Sequence, residues 1–281
     1  MPTINKINGT ASDTFTKING TTAAVNSFMN VTEGNVGGVD RNIPFFNSHS
    51  IDLDGSSDYI DLVNGIGGFA PTSGAVSIWT KLDASSANAY LFQLSSDTSA
   101  SNNRIIIYWS HSNSKIGYTL KYAGENAQYN WASTGIKGDN TWHHIVMIWS
   151  PGDEGTIMTA CFDGTCQDGI ESAGSLAGSA AAMTLGRAST GSSSFYDGHV
   201  DEFTMWNTTE GTPLTAADVD ILYNARRGCT THKDVEDYDT SRFVSLFYKM
   251  EENSGTAVIS HGGTSGSAAV SASDLWTNDT F

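Results

Sequence analysis

From Ser50 to Asn224 the chain is a succession of short runs in which apolar side chains either alternate with polar ones or follow without a break, with Gly, Asp, Asn and Ser between them. Alternation is the period of a strand with one buried face, and an unbroken apolar run between turn residues suits a strand buried on both. Ile51 and Leu53 alternate with Asp52 and Asp54, and beyond Gly55-Ser56-Ser57 the alternation resumes with Tyr59 and Leu62 against Asp58 and Asp61, which reads as a hairpin. In 74–82, Val76, Ile78 and Thr80 fall on one face and Ser77, Trp79 and Lys81 on the other, and 104–109 and 116–120 continue in the same style. Trp142 to Trp149 (WHHIVMIW) is almost uninterrupted and predicts a central strand. The run from Met158 to Gln167 contains Asp163-Gly164, the two-residue signal of a type I′ hairpin, and Met183 to Arg187 and Gly198 to Trp206 close the series. Helical spacing is convincing in a single late place: Thr215 as N-cap, Asp218 at N3, Val219, Leu222 and Tyr223 on one face, and Gly228 as the stop. Many short strands with one late helix predict an all-β fold, an antiparallel two-sheet sandwich.

The order of the phrases adds to their periodicity. A DG-x-x-DY-hydrophobic phrase (Asp54-Gly55 to Tyr59) is followed by an aromatic-centred strand (Ser77 to Lys81), a WHH-hydrophobic strand (Trp142 to Val146) and a strand closing on DG (Phe162 to Gly164). Then come LGR (Leu185 to Arg187), G-x-hydrophobic-DE (Gly198 to Glu202) and a helix ending in LY (Leu214 to Tyr223). Over roughly residues 50–225 this series resembles the laminin G-like, concanavalin A-like jelly-roll family, a likeness that fixes the fold better than the function. The domain organisation expected is an N-terminal arm over 1–48, the sandwich over 49–228, and a C-terminal extension over 229–281 that packs on it. In that family an aromatic strand followed by E-x-x-G-T usually precedes the sandwich, whereas here Leu246-Phe247-Tyr248-Lys249-Met250-Glu251-Glu252-Asn253-Ser254-Gly255-Thr256 follows the helix. It is therefore either an extra edge strand or a small appended element.

The arm differs in kind. Lys6-Ile7-Asn8-Gly9-Thr10 recurs 11 residues later as Lys17-Ile18-Asn19-Gly20-Thr21, with Ile4 and Phe15 in equivalent places. Two copies cannot bury their own apolar side chains, so Ile4, Ile7, Phe15 and Ile18 are expected to dock on another surface. Lys6, Lys17 and Arg41 balance Asp13, Glu33 and Asp40, so the whole formal charge of −16 lies beyond the arm, which can dock without electrostatic cost. The style of the repeat ahead of such a sandwich looks like that of virion proteins from tailed bacteriophages. That resemblance implies other virion proteins and further copies of itself as partners, a closed homo-oligomer such as a trimer, and a place on the virion surface.

Composition limits the alternatives. With charged residues at 16% and a pI near 4.5, the chain is not expected to bind a nucleic-acid backbone, and without a run of some 18 apolar residues it is not expected to insert into a membrane. The opening MPTINKINGT lacks a basic stretch followed by an apolar one, so no secretory signal is expected. Cys161 and Cys166 flank the Asp163-Gly164 turn at a position where close Cα atoms allow a cross-strand disulfide, the alternative being two free thiols; Cys229 has no evident partner.

No residue is assigned to catalysis. Sandwich glycosidases need two carboxylates across a cleft, commonly as E-x-D-x-E on one strand, and this phrase is absent. Asp201 and Glu202 are adjacent and in a regular strand point to opposite faces, and His143-His144 diverge in the same way, so both pairs are expected to be structural. HExxH, GxSxG and P-loop motifs are absent too, so the chain is expected not to be an enzyme. No cofactor is assigned. Calcium is the one metal the resemblance suggests, with Asp54 and Asp58 on a turn where they could contribute, though Asx hydrogen bonding to the turn amides is the favoured reading. The run HKDVEDYD from His232 to Asp239 lacks the D-x-D-x-D-G order of a calcium loop and reads as a solvated connector. Trp79, Trp109, Trp131 and Trp149 lie in apolar strand contexts that favour core packing over sugar stacking. The function expected is a non-enzymatic virion protein, a capsid-decoration or surface protein with host-surface glycan as a further partner. The alternatives are a tail-fibre adhesin and a free carbohydrate-binding lectin.

Overall fold

The computed structural model describes residues 47–62, 72–83, 87–95, 104–122, 125–130, 136–173, 181–189, 193–209, 212–224, 231, 238–263 and 267–280 of the 281-residue chain. Ile4, Ile7, Phe15 and Ile18 of the arm, Trp131, Gly228, Cys229 and residues 232–237 lie outside them. Among the described residues the elements are β1 (Ser50–Asp54), β2 (Ile60–Asp61), β3 (Gly74–Leu82), β4 (Ala89–Ser95), β5 (Arg104–Ser110), β6 (Lys115–Tyr122), β7 (Glu125–Asn130), β8 (His143–Pro151) and β9 (Gly155–Phe162). They continue with β10 (Thr165–Cys166), β11 (Ile170–Ala173), β12 (Ala182–Leu185), β13 (Asp197–Asn207), the helix α1 (Ala216–Tyr223), β14 (Val244–Tyr248), β15 (Ala257–Gly263), β16 (Ser267–Val270) and β17 (Trp276–Thr277).

All the pairings are antiparallel and resolve into two sheets. In the first, β13 is the long central strand: it pairs with β3 along its length, while its other edge pairs with β1 over Asp197 to Val200 and with β14 over Phe203 to Trp206. β3 pairs on with β8, β8 with β9, and β9 with β10 and β11, while β17 adds to β1. The second sheet runs β7, β6, β5, β4, β12, β2, β16 and then β15. β15 pairs with β16 through Val258 and with β14 from Ser260 onward, so one strand passes from sheet to sheet and links every strand. This is the antiparallel two-sheet sandwich the alternating runs predict, in the jelly-roll form the family resemblance implies.

The core lies between the sheets, with Ile51, Val76, Ile145, Met147 and Phe203 of the first facing Phe92, Ile107, Trp109, Tyr118 and Leu185 of the second. A second apolar cluster covers the outer face of the first sheet, where Ala75, Val146, Ile148, Cys161 and Trp206 meet Leu214, Val219 and Leu222 of the helix segment and Phe247. Burying a side chain such as Val219 or Leu222 contributes about 1.5–3 kcal/mol, which is what fixes so short a helix on the sheet. Coverage on both sides also explains why every residue of β3 is buried rather than every second one, and why β8 could be read as a central strand.

Three expectations change. β1 and β2 are not a hairpin: β1 joins the first sheet and β2 the second, and the turn between them carries the chain across the sandwich. The helix ends at Asn224, a left-handed cap with φ 48°, before Gly228 is reached, because the short amide side chain makes asparagine tolerant of that conformation. The aromatic strand β14 is neither an edge strand nor an appendage, since it is paired on both sides, by β13 and β15.

Candidate functional site

A shallow aromatic surface lies on the outer face of the second sheet. Ile107 and Trp109 enter the core, which by alternation turns Tyr108 of β5 outward. Its register partner on β4 is Tyr90, with ring centroids 6.0 Å apart and planes inclined at 58°. Across Tyr108 on β6 stands Gly117, where a Cβ would come within 2.4 Å of the Tyr108 ring. Glycine at that position lets the ring lie down on the sheet instead of standing off it. Both tyrosines are half-buried, so each is held by its surroundings while part of its ring faces solvent. Such rings offer apolar faces for the C–H groups of a sugar and hydroxyls for its oxygens. The sequence-based reading missed this pair, because rings on two strands become one surface only when the register sets Tyr90 against Tyr108. Trp79, Trp109 and Trp149 are buried and belong to the packing.

Asp201 and Glu202 are 0% and 4% exposed. The pair does not lie in regular strand: Glu202 has φ 49° and sits at a bulge where the β13–β3 register shifts, at the point where the other edge of β13 changes partner from β1 to β14. Asp201 accepts hydrogen bonds from Asn47 Nδ2 at 2.5 Å and from the Glu202 amide at 2.8 Å. Burial pushes the Asp201 carboxyl well above the usual range, and burial together with the Asp201 charge does the same for Glu202. Beside them, the Glu251 carboxylate accepts from the amides of Ser48 and His49 and from the Ser48 hydroxyl. These groups fasten the entry of the chain into the sandwich.

The two histidines diverge. His143 Nδ1 lies 2.8 Å from Asp163 Oδ2 and its Nε2 3.1 Å from Asp139 Oδ2. Burial opposes its charged form, but the hydrogen bonds and charges of Asp163 and Asp139 together raise its pKa. His144 bonds Ser77 Oγ through Nε2 at 2.7 Å and packs against both Trp79 and Tyr223, with ring centroids 5.0 and 6.2 Å away, the three rings forming one near-parallel cluster in which Trp79 and Tyr223 are themselves 5.9 Å apart. Full burial lowers its pKa to about 4.

The remaining sequence candidates resolve locally. Asp54 Oδ1 accepts from the amides of Ser56, Ser57 and Asp58, and Oδ2 from the Ser56 and Ser57 hydroxyls. Burial works against its charge, but these donors together hold it well below the usual carboxylate range. The turn thus presents N–H and O–H groups to a carboxylate rather than oxygens to calcium, and the residues do not fit that ion. Asp163 and Gly164 have φ 46° and 78°, the pair of positive values that a type I′ turn requires, and Cys161 faces Cys166 across β9 and β10, joined by a disulfide.

Two antiparallel sheets in a jelly roll, with polar turns at the rim and aromatic rings on an outer face, define a concanavalin A-like sandwich domain. The chain belongs to the concanavalin A-like lectin/glucanases superfamily, whose family model matches residues 54–220. Among solved structures it is similar to the native heptameric SAP-like pentraxin from Limulus polyphemus, at 14% identity and a TM-score of 0.50, over 85% of this chain and 99% of that one. It is also similar to domains LG4-5 of the mouse laminin α1 chain, at 16% identity and a TM-score of 0.42, over 57% of this chain and 41% of that one. A third likeness is to the CBM40 of the Ruminococcus gnavus IT-sialidase bound to α2,3 sialyllactose, at 13% identity and a TM-score of 0.44, over 61% and 94%. Comparison with curated proteins gave no match.

Proposed function

We propose that the protein is a non-enzymatic adhesive component of a tailed-bacteriophage virion surface, anchored through Ile4, Ile7, Phe15 and Ile18 of its N-terminal arm and presenting its sandwich to host glycan. The observation that carries the adhesive reading is the Tyr90–Tyr108 surface over Gly117, on a fold whose superfamily includes lectins. The arm repeat, neutral where the rest of the chain carries the −16, supports anchoring. Asp201 and Glu202, sunk at the bulge beneath residues 47–49, support a structural rather than a hydrolytic role for that carboxylate pair. Self-association as a closed homo-oligomer belongs to the same reading.

Glycan arrays probed with the full chain should show a retained glycan class that Tyr90→Ala and Tyr108→Ala each weaken about tenfold, the scale of losing one aromatic stacking contact. Light scattering and particle binding of the full chain against a version lacking residues 1–44, which keeps Asn47 and Ser48 on Asp201 and Glu251, test the anchor, which should be lost on deletion. Glycan binding indifferent to both tyrosines, turnover of the bound glycan, or particle binding without the arm would each sink the corresponding half.

A further inference from the structure

His199 stands between carboxylates that are far from it in the sequence. On β13 it is register-paired with Asp52 of β1 on one side and with Lys81 of β3 on the other, and Asp83 follows β3 with its amide bonded to the Asp197 carbonyl at 3.1 Å. Ile51, Leu53 and Val200 point into the core, so Asp52 and His199 share the outer face of the first sheet. His199 is 8% exposed, and its Nδ1 is buried with no hydrogen-bond partner. That nitrogen lies 3.7 Å from Asp52 Oδ1 and 3.6 Å from Asp83 Oδ2.

We propose that His199, Asp52 and Asp83 form a binding site for a divalent metal ion of the zinc class. Two donors bound near-tetrahedrally to one zinc at its usual N and O distances sit roughly 3.4 Å apart, so the observed separations close on an ion with movements of a few tenths of an ångström. They are too long for hydrogen bonds, and the orphaned nitrogen is the atom an ion would engage. An imidazole in the set selects zinc and its transition-metal neighbours over calcium, which takes oxygen ligands. The surroundings fit. His199 Nε2 faces Asp279 Oδ2 at 3.7 Å, so a carboxylate stands behind the imidazole, as carboxylates do behind metal-bound histidines. Asp279 also takes the Lys81 ammonium and accepts from Trp142 Nε1 at 3.3 Å, while the Trp142 ring meets the imidazole edge-on at 6.1 Å. Asp52, Asp83 and Asp279 against Lys81 leave two net negative charges around the His199 ring, which one divalent cation cancels. Asp52 and Asp83 reach solvent, so the ion would keep an open coordination position.

The test is a titration of the EDTA-stripped full chain with zinc chloride in competition with a chromophoric chelator. One equivalent should bind, His199→Ala and Asp83→Asn should each weaken it about a hundredfold and Asp279→Asn about tenfold, with calcium chloride unable to compete. Cobalt in place of zinc should give visible absorption that His199→Ala abolishes. Should His199→Ala not fold, Asp52→Asn and Asp83→Asn, both on solvent-facing side chains, carry the comparison. Failure to bind one equivalent of zinc, or binding unchanged in the His199, Asp52 and Asp83 variants, overturns the site. Neither result depends on Tyr90 or Tyr108, so the glycan reading stands or falls separately.

Discussion

Neighbouring side chains of one strand can carry opposite electrostatic signs, as His143 and His144 show. His143, raised by Asp163 and Asp139 against its burial, holds its proton more tightly folded than unfolded. Its contribution to stability is complete below the unfolded value near 6.5 and is lost as pH rises through the folded value. His144, lowered by burial to about 4, works the other way: its contribution is complete above roughly 6.5 and is lost as pH falls toward the folded value. Urea unfolding at about pH 5 and about pH 8 separates them, because His143→Gln should cost more at the lower pH and His144→Gln less, by about 2 kcal/mol for His144. Equal penalties at both pH values would contradict the assignment. The sequence suggested that the pair diverges, since alternate faces follow from strand geometry alone. Asp163 and Ser77 as partners were not legible, because they arrive from β9–β10 and β3.

At the scale of elements, local chemistry was readable wherever an element completes itself. The capping box of α1 is one such case: Asp218 N donates to Thr215 Oγ1 at 3.2 Å, while the Asp218 carboxylate accepts from the Thr215 amide at 2.6 Å. Thr215→Ala should lower stability by about 1 kcal/mol, read as a shifted denaturation midpoint with an unchanged slope. A larger loss would mean that the threonine does more than cap. The Asp163-Gly164 turn was equally plain, since both its residues must accept positive φ. The link from Asp54 to Tyr59 was misread because alternation on either side of a Gly-Ser-Ser turn is the same for a hairpin and for a crossing between sheets; the partners β13 and β12 decide it. The bulge at Glu202 left no trace either, since nothing in GHVDEF says where β13 exchanges one neighbour for another.

Across the whole molecule, the −16 acts as a field, and its self-repulsion opposes the compact state. Raising salt from about 0.01 M to about 1 M shortens the Debye length from ~30 to ~3 Å, so the melting temperature should climb by a few degrees in a calorimetric series. A flat or falling series would mean that attractive pairs such as Lys81–Asp279 outweigh the repulsion. By itself the sequence determined the fold class, the sandwich and its apolar faces, the turn at Asp163-Gly164 and the helix start at Thr215. Each of these follows from periods, propensities and contacts within a few residues. Only the tertiary structure decided which sheet takes β1 and which β2, that β14 lies inside the first sheet, and that Tyr90 meets Tyr108 and His199 meets Asp52 and Asp83. Those pairings depend on register between strands distant in the chain, and side chains that touch only through such register leave no spacing for a linear reading to find.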